Sequence, residues 1–393
     1  MPRPAHIAMV GTPMVGHVLP SLEIIRELVT RGHRVTYANA DPVAELITPT
    51  GAELVAITST LPVADDWPQD PIASASLFLG EAMAVLPQLH AAYDEDPADL
   101  YLYDVAAYAG RALADAQGRG LVQLSAAHVA WEGAQEEVGA AFAQLPGGPA
   151  YRERFAAWLT RGGAATGNVE EFTGRPRRTL AMIPRAMQPH ADRVDTEAVT
   201  FVGPCFGAGQ EQDGWVRPAA AKKVLLVSLA GSEYHGPQEI YHQCVAAFAD
   251  LPGWHVVLQT VRGSQLAERL PRNFEVQPWA PPLAMLEQAD VWVTHTGMGS
   301  SSQGLHAGVP MIAVPHGADQ CFHADRLVEL GVARRIDTAD VTAAALRTAL
   351  MELIGDPQVA ARSAWLWSEV RAEGGTCRAA DLIEDQLAEE RVG

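Results

Sequence analysis

Apolar residues in this chain come in short β-prone runs separated by stretches of helical spacing. The first run, "HIAMVG" (6–11), is closed by Gly-Thr-Pro. From about Pro20, Leu22, Ile24, Ile25 and Leu28 recur at helical spacing, and Gly32 ends the pattern. "RVTYANA" is β-like again, and "DPVAELITPTG" opens with an aspartate cap and a proline at the first helical position. This alternation predicts an open parallel sheet. Further strand candidates are "DLYLYD" (99–104), "LVQLS" (121–125), "TLAMIP" (179–184) and "TFVGP" (200–204). From Cys205 to Lys222 the chain turns polar and loop-like, the pattern of a linker. The alternation restarts with "VLLVSL" (224–229) and continues through "HVVLQT" (255–260), "FEVQPW", "VWVTH" and "MIAVP". From about Val341 to Glu390 the pattern is nearly all helical. The fold class is therefore α/β, with two doubly wound domains at 1–204 and 223–370, a linker at 205–222 and a terminal helix at 371–393. Two such domains face their strand ends toward a cleft.

Composition narrows the picture. The chain has 393 residues and a formal net charge of −19, so it has no basic surplus with which to neutralise nucleic-acid phosphates. A small phosphate-bearing molecule stays open, because helix dipoles can hold one. Cys205, Cys244, Cys321 and Cys377 are scattered, with no metal-knuckle spacing, as in a reduced cytoplasmic protein. The start "MPRPAHIAMVGTP" lacks a signal-peptide architecture, and no apolar stretch is expected to reach the roughly 20 residues of a membrane span.

Candidate chemistry sits where strands end. "VWVTHTGMGSSSQG" (291–304) runs from an apolar strand into glycines and serines that open a helix, the general device for binding an anion. Gly297 and Gly299 let the backbone come close, and Ser300, Ser301 and Ser302 add hydroxyls. The pattern lacks the Walker lysine and the full dinucleotide fingerprint, so a serine-rich helix cap fits it equally well. His295 favours a site, since a histidine ending a buried strand needs a polar partner. "GTPMVGHVLP" (11–20) carries one titratable side chain, His17, which can serve as a general base or as a packing residue. Asp104 ends its strand on the same sheet edge; it can orient His17 or simply cap the next helix. "DED" (94–96) imitates a metal-binding pair but reads as a solvated turn.

Together these pieces resemble a known family. "HTGMGSSSQG…VPMIAVPHGADQ", with Trp279 in "VQPWAPP", is similar to the donor-binding signature of the family 1 glycosyltransferases, and "AHIAMVGTPMVGHVLPSLEIIRELVTRGHRVTYA" to their acceptor-domain opening. "HVAWEGAQEEV", "MQPHADRV", "LPGWHVVLQ" and "EGGTCRAADLIE" resemble the actinomycete macrolide type, the oleandomycin glucosyltransferase-like enzymes. The likeness spans essentially the whole chain. It implies a glycosyltransferase B fold of two Rossmann-like domains, with the terminal helix crossing back to the first. It implies His17 as general base and Asp104 as its orienting partner. Trp279 would stack on the nucleobase, His295 and the loop Gly299–Ser301 would hold the diphosphate, and Asp319 and Gln320 the sugar hydroxyls. Gln303 stands where the family has a ribose-binding glutamate, and Ser228 and Ser232 complete the donor set. Pro282 replaces the usual glutamine after the Trp-x-Pro pattern, and the loop after "VSL" is one residue longer than usual.

The expected activity is an inverting transfer of a sugar from a UDP- or dTDP-sugar to a hydroxyl of a hydrophobic natural product such as a macrolide or polyketide. No cofactor or metal is expected; the nucleotide sugar is a co-substrate. Expected partners are that donor and a hydrophobic small-molecule acceptor, with no nucleic acid and no membrane span; a homodimer is allowed. Two rivals stand beside this reading. One keeps the fold but uses His17 and Asp104 for a cyclisation or elimination, and the other is a non-catalytic binding protein.

Overall fold

A computed structural model describes residues 4–62, 67–68, 70–207, 215–229, 238–260, 270–278 and 283–391. The chain divides into two compact units. The first comprises Met1–Ile183, Gln188–Cys205 and Gly374–Gly393; the second comprises Pro184–Met187 and Phe206–Glu373. The short segment 184–187 thus packs with the second unit although its flanks belong to the first.

The first unit holds a seven-stranded parallel sheet of β1 (His6–Val10), β2 (Arg34–Asn39), β3 (Glu53–Ala56), β4 (Leu100–Asp104), β5 (Gly120–Ser125), β6 (Thr179–Ala181) and β7 (Val199–Phe201). Its order is β3-β2-β1-β4-β5-β6-β7. Successive side chains of a strand point to opposite faces. Ile7, Met9, Leu100 and Leu102 therefore enter one core, with Leu22, Ile25 and Leu28 of helix Val15–Thr30. Ala379, Ala380, Ile383 and Leu387 of the last helix, Gly375–Glu390, join the same core. Ala8, Val10, Tyr101 and Tyr103 enter the other core, under helices Pro71–Tyr93, Tyr108–Gln117 and Gly148–Arg161. Both faces are covered, which is why these strands read as continuous apolar runs.

The second unit repeats the plan with six parallel strands: β8 (Lys223–Ser228), β9 (Trp254–Thr260), β10 (Phe274–Pro278), β11 (Val291–Thr294), β12 (Met311–Ala313) and β13 (Ala333–Arg335). Their order is β10-β9-β8-β11-β12-β13. Leu225, Val227 and Val293 face helices Gln238–Phe248 and Ala343–Gly355. Leu226, Trp292 and Met311 face helices Met298–Ala307 and Pro357–Ala372.

Two expectations need correction. The first helix starts at Val15, not near Pro20, which lies inside it. The Met14 carbonyl accepts from His17 N and Val18 N at 2.9 and 3.0 Å, so the first turn closes upstream of the proline. His17 is therefore a first-turn residue. Second, helix Pro71–Tyr93 has 23 residues and is long and apolar enough to cross a membrane by length and composition alone. Leu79, Ala82, Val85, Leu86 and Leu89 bury a stripe of it in the first unit's core.

Helix Tyr108–Gln117 sits close on the sheet at Gly110. A Cβ there would meet Val10 Cβ at 2.8 Å and Tyr103 Cβ at 3.1 Å, atoms next to the backbone that cannot swing away. Gly110→Ala should lower stability by about 1–3 kcal/mol through overpacking, read as a shift of the urea midpoint at unchanged slope.

Candidate functional site

In a doubly wound sheet, ligands bind where the strand order reverses direction. In the first sheet that point lies between β1 and β4, and in the second between β8 and β11. The sequence candidates fall at these two points. Val10 is paired with Tyr103, so the loop after β1 begins beside Asp104. Thr294 is paired with Ser228, so His295 follows beside the end of β8.

At the first point, Asp104 is 2% exposed and both its oxygens are engaged. Oδ1 lies 2.9 Å from His17 Nδ1, and Oδ2 accepts from Thr12 Oγ1 at 2.9 Å and from the Ala106 N–H at 3.3 Å. Asp104 thus serves both readings of it: it fixes the turn before helix Tyr108–Gln117 and orients His17. The His17 side chain is partly exposed, at 28%, so its other nitrogen can meet a ligand. Burial opposes charge on His17, but the Asp104 charge and hydrogen bond outweigh it and hold its proton affinity above the ordinary value. Tyr108 is pushed up to about 12 by burial and by the Asp104 charge, so its hydroxyl stays protonated.

At the second point, His295 lies between β11 and helix Met298–Ala307, whose N-cap is Gly297. Burial pushes its pKa down to about 4; the nearby His316 adds to this, and Asp319 works against it. The expected polar partner is not found: its buried Nδ1 makes no hydrogen bond to a described residue. The Ser228 backbone favours the charged form without reaching hydrogen-bond geometry, and burial prevails. A Cβ at Gly297 would stand 3.0 Å from His295 Nε2, whereas one at Gly299 would meet open space. Ser301 N already bonds the Gly297 carbonyl, which leaves the N–H groups of Met298, Gly299 and Ser300 to face an anion.

The serine hydroxyls do less than their number suggests. Ser300 Oγ donates to the Gly297 carbonyl and Ser301 Oγ to that of Thr296. Ser301 and Ser302 are buried. Gln303 is half-buried on the same helix. Asp319 is exposed in the first turn of helix Ala318–Glu329. Gln320 Oε1 accepts from the His316 and Gly317 N–H groups at 2.8 and 3.2 Å, so only its amide NH2 remains for a ligand. Ser228 is buried at the end of β8. Trp279, Ser232, Pro282 and the loop 230–236 lie outside the described residues. "DED" is an exposed turn whose Asp94 pairs with His90 and Asp96 with Arg34.

Two threonines escaped the sequence reading. Thr12 holds Asp104, as above. Thr296, 0% exposed, has φ 58°, the left-handed region that a β-branched residue rarely adopts, at a cost of about 1–3 kcal/mol. Its hydroxyl can donate to the His295 or the Gln320 carbonyl, and its own carbonyl lies 3.1 Å from His323 Nδ1. Thr296 thereby ties the anion-facing turn to the helix bearing Asp319 and Gln320. The only sequence signal was its place between a histidine and a glycine.

Comparison with known proteins gives consistent matches. Residues 243–384 match the family model described as erythromycin biosynthesis protein CIII-like, C-terminal domain. The chain is 48% identical to oleandomycin glycosyltransferase of Streptomyces antibioticus, over 98% of this chain and 91% of that protein. It is 33% identical to the NDP-glycosyltransferase YjiC of Bacillus licheniformis, over 98% of each. Among solved structures, the glycotransferase of kitacinnamycin matches with a TM-score of 0.89 at 50% identity, over 98% of this chain and 100% of that one.

The opposite environments of the two histidines give a direct check. In a histidine NMR titration from pH 8 to 5, His295 should stay neutral, with His295→Gln providing the assignment. Because its folded pKa is lowered, stability is lost as pH falls below about 6.5, where the unfolded chain takes up the proton first. A His295 signal that titrates near 6.5 would contradict the buried position.

Proposed function

The chain belongs to the natural-product glycosyltransferase family that includes the oleandomycin enzyme, with the glycosyltransferase B fold, and we propose that it is an inverting, metal-independent transferase with His17 as general base. The donor is a UDP- or dTDP-sugar, and the acceptor is a hydroxyl of a hydrophobic natural product of the macrolide or polyketide class. The rival readings, a cyclisation or elimination and a non-catalytic binder, draw no support from the three relatives described above, each of which is named for glycosyl transfer.

One observation carries the proposal: His17 stands partly exposed at a switch point with Nδ1 held 2.9 Å from a buried carboxylate. Asp104 is acceptor-only, so the His17 proton sits on Nδ1 and the Nε2 lone pair is free. Nε2 takes the proton of the acceptor hydroxyl. The acceptor oxygen forms its bond to the anomeric carbon from the face opposite the diphosphate, and that carbon's bond to the diphosphate oxygen breaks with its electron pair. Configuration inverts. Asp104 stabilises the imidazolium that results.

The departing diphosphate needs stabilisation in place of a metal ion. The free N–H groups of Met298, Gly299 and Ser300, at the positive end of their helix, supply it. His295 contributes as a neutral N–H donor, because burial disfavours its charge. Asp319 and the Gln320 amide NH2 are assigned to the sugar hydroxyls, and Trp279 to the base. Gln303 offers the ribose a neutral amide in place of a carboxylate, which suits a 2′-deoxyribose as in dTDP.

A base must be neutral to act, and His17 holds its proton more tightly than an ordinary histidine. Turnover should therefore rise with pH through a midpoint above about 6.5. His17→Ala should cost about 10²–10⁴ in kcat and abolish that limb; unchanged turnover would remove His17 from the mechanism. Gln303→Glu should shift calorimetric preference from dTDP toward UDP by ~1–2 kcal/mol, the range of a charge-assisted hydrogen bond. Equal affinities before and after would refute the role given to Gln303.

A further inference from the structure

We propose that Thr12 is a positioning residue for the His17–Asp104 pair, held in place by the buried Asn39. This rests on the reading of His17 as general base.

A carboxylate with one engaged oxygen can rock or exchange its oxygens, and a histidine bound to it follows. Asp104 Oδ2 has two donors, Thr12 Oγ1 at 2.9 Å and the Ala106 N–H at a long 3.3 Å. The threonine hydroxyl is the stronger tether. A hydrogen bond to a charged group contributes more than one between neutral groups, and the shorter of two such bonds is the better formed. Thr12 and Asp104 are each 2% exposed, so water does not compete for that oxygen. With Oδ2 held, Oδ1 is committed to His17 Nδ1, and the direction of the Nε2 lone pair is set.

Thr12 is in turn held from the opposite side. Its carbonyl accepts from Asn39 Nδ2 at 3.2 Å, while Asn39 Oδ1 accepts the Ala40 N–H at 2.8 Å. Asn39 is 0% exposed. Pro13 follows Thr12 and restricts it to extended backbone. Gly11 precedes it, and a Cβ there would stand 2.9 Å from Asn39 Nδ2 and from the Tyr37 ring and hydroxyl. The loop is pressed against the end of β2 with no slack. Asn39, Thr12, Asp104 and His17 thus form one tether from β2 across the β1 loop to β4 and the first turn of helix Val15–Thr30. Thr12 uses its backbone for one attachment and its hydroxyl for the other. Valine has the shape of threonine without that hydroxyl, and serine has the hydroxyl without the methyl.

The test compares Thr12→Val, Thr12→Ser and His17→Ala with the wild type. The first readout needs no substrate: the 15N signals of the His17 imidazole, assigned by loss in His17→Ala, report tautomer and titration. Thr12→Val should raise the proton affinity of His17, because the Asp104 charge is no longer shared with the hydroxyl, and Thr12→Ser should return it to the wild-type value. The second readout is turnover of oleandomycin with UDP-glucose and with dTDP-glucose. Thr12→Val should lower kcat about tenfold with donor KM within about twofold, and Thr12→Ser should restore most of the rate. A His17 titration and tautomer unchanged in Thr12→Val would overturn the proposal, and so would a change that serine does not reverse. If Thr12→Val does not fold, Thr12→Ala gives the same readouts. Failure of the underlying reading looks different, because His17→Ala would then turn over like the wild type. Loss of activity in His17→Ala with wild-type behaviour of Thr12→Val removes Thr12 alone.

Discussion

The parallel pairing of β1 with β4 is the constraint on which the first site depends. It joins segments nearly a hundred residues apart and places the end of one strand level with the end of the other. Since β2 lies on the far side of β1 and β5 on the far side of β4, the chain leaves these two strands in opposite lateral directions. The gap at their ends is where Asp104 meets the loop that carries Thr12 and leads to His17. The second sheet repeats the device with β8 and β11, and His295 stands in that gap. The chemistry in each unit is thus a consequence of strand order before it is a property of any side chain.

The same residue type, at equivalent points of two similar sheets, is given opposite proton affinities by its surroundings. His17 has a buried carboxylate at 2.9 Å, and its hold on a proton rises despite burial. His295 has no such hydrogen-bonded partner among the described residues, and burial, helped by His316 and His323, outweighs the more distant Asp319, so the ring stays neutral. The charged form is favoured in one histidine and disfavoured in the other. Tuning by environment of this kind separates acid–base groups from plain donors.

Much of this was legible in the chain. Strand alternation gave both sheets except their edge strands β3 and β13, which are only four and three residues long, and the residues closing "VWVTH" and "DLYLYD" lie at the two switch points. Other features were hidden for identifiable reasons. Pro20 looked like a helix start because proline favours that position, whereas here the first turn closes upstream of it. The helix 71–93 was concealed by weak periodicity, with small and apolar residues around most of its surface. Thr12 and Thr296 carry no pattern, since a threonine in a loop announces neither a hydrogen bond to a residue 92 positions away nor a left-handed backbone. The serines of 300–302 misled in the other direction: their spacing suggested three donors for a ligand, and the helix turned two of them inward.

The last helix carries a consequence for how such proteins can be recombined. Ala379, Ala380, Ile383 and Leu387 complete the first unit's core, although the second unit separates them from the rest of it in the chain. Arg31 reaches Asp381 and Glu384 of this helix at 2.6 and 2.7 Å, and His33 adds a contact to Glu384 at 3.0 Å. The first unit is therefore a module written in two pieces, one at each end of the polypeptide. A chimera that exchanges only the front half of two such enzymes would pair a core with a foreign closing helix. One that exchanges both ends together, and leaves the middle alone, keeps the module whole.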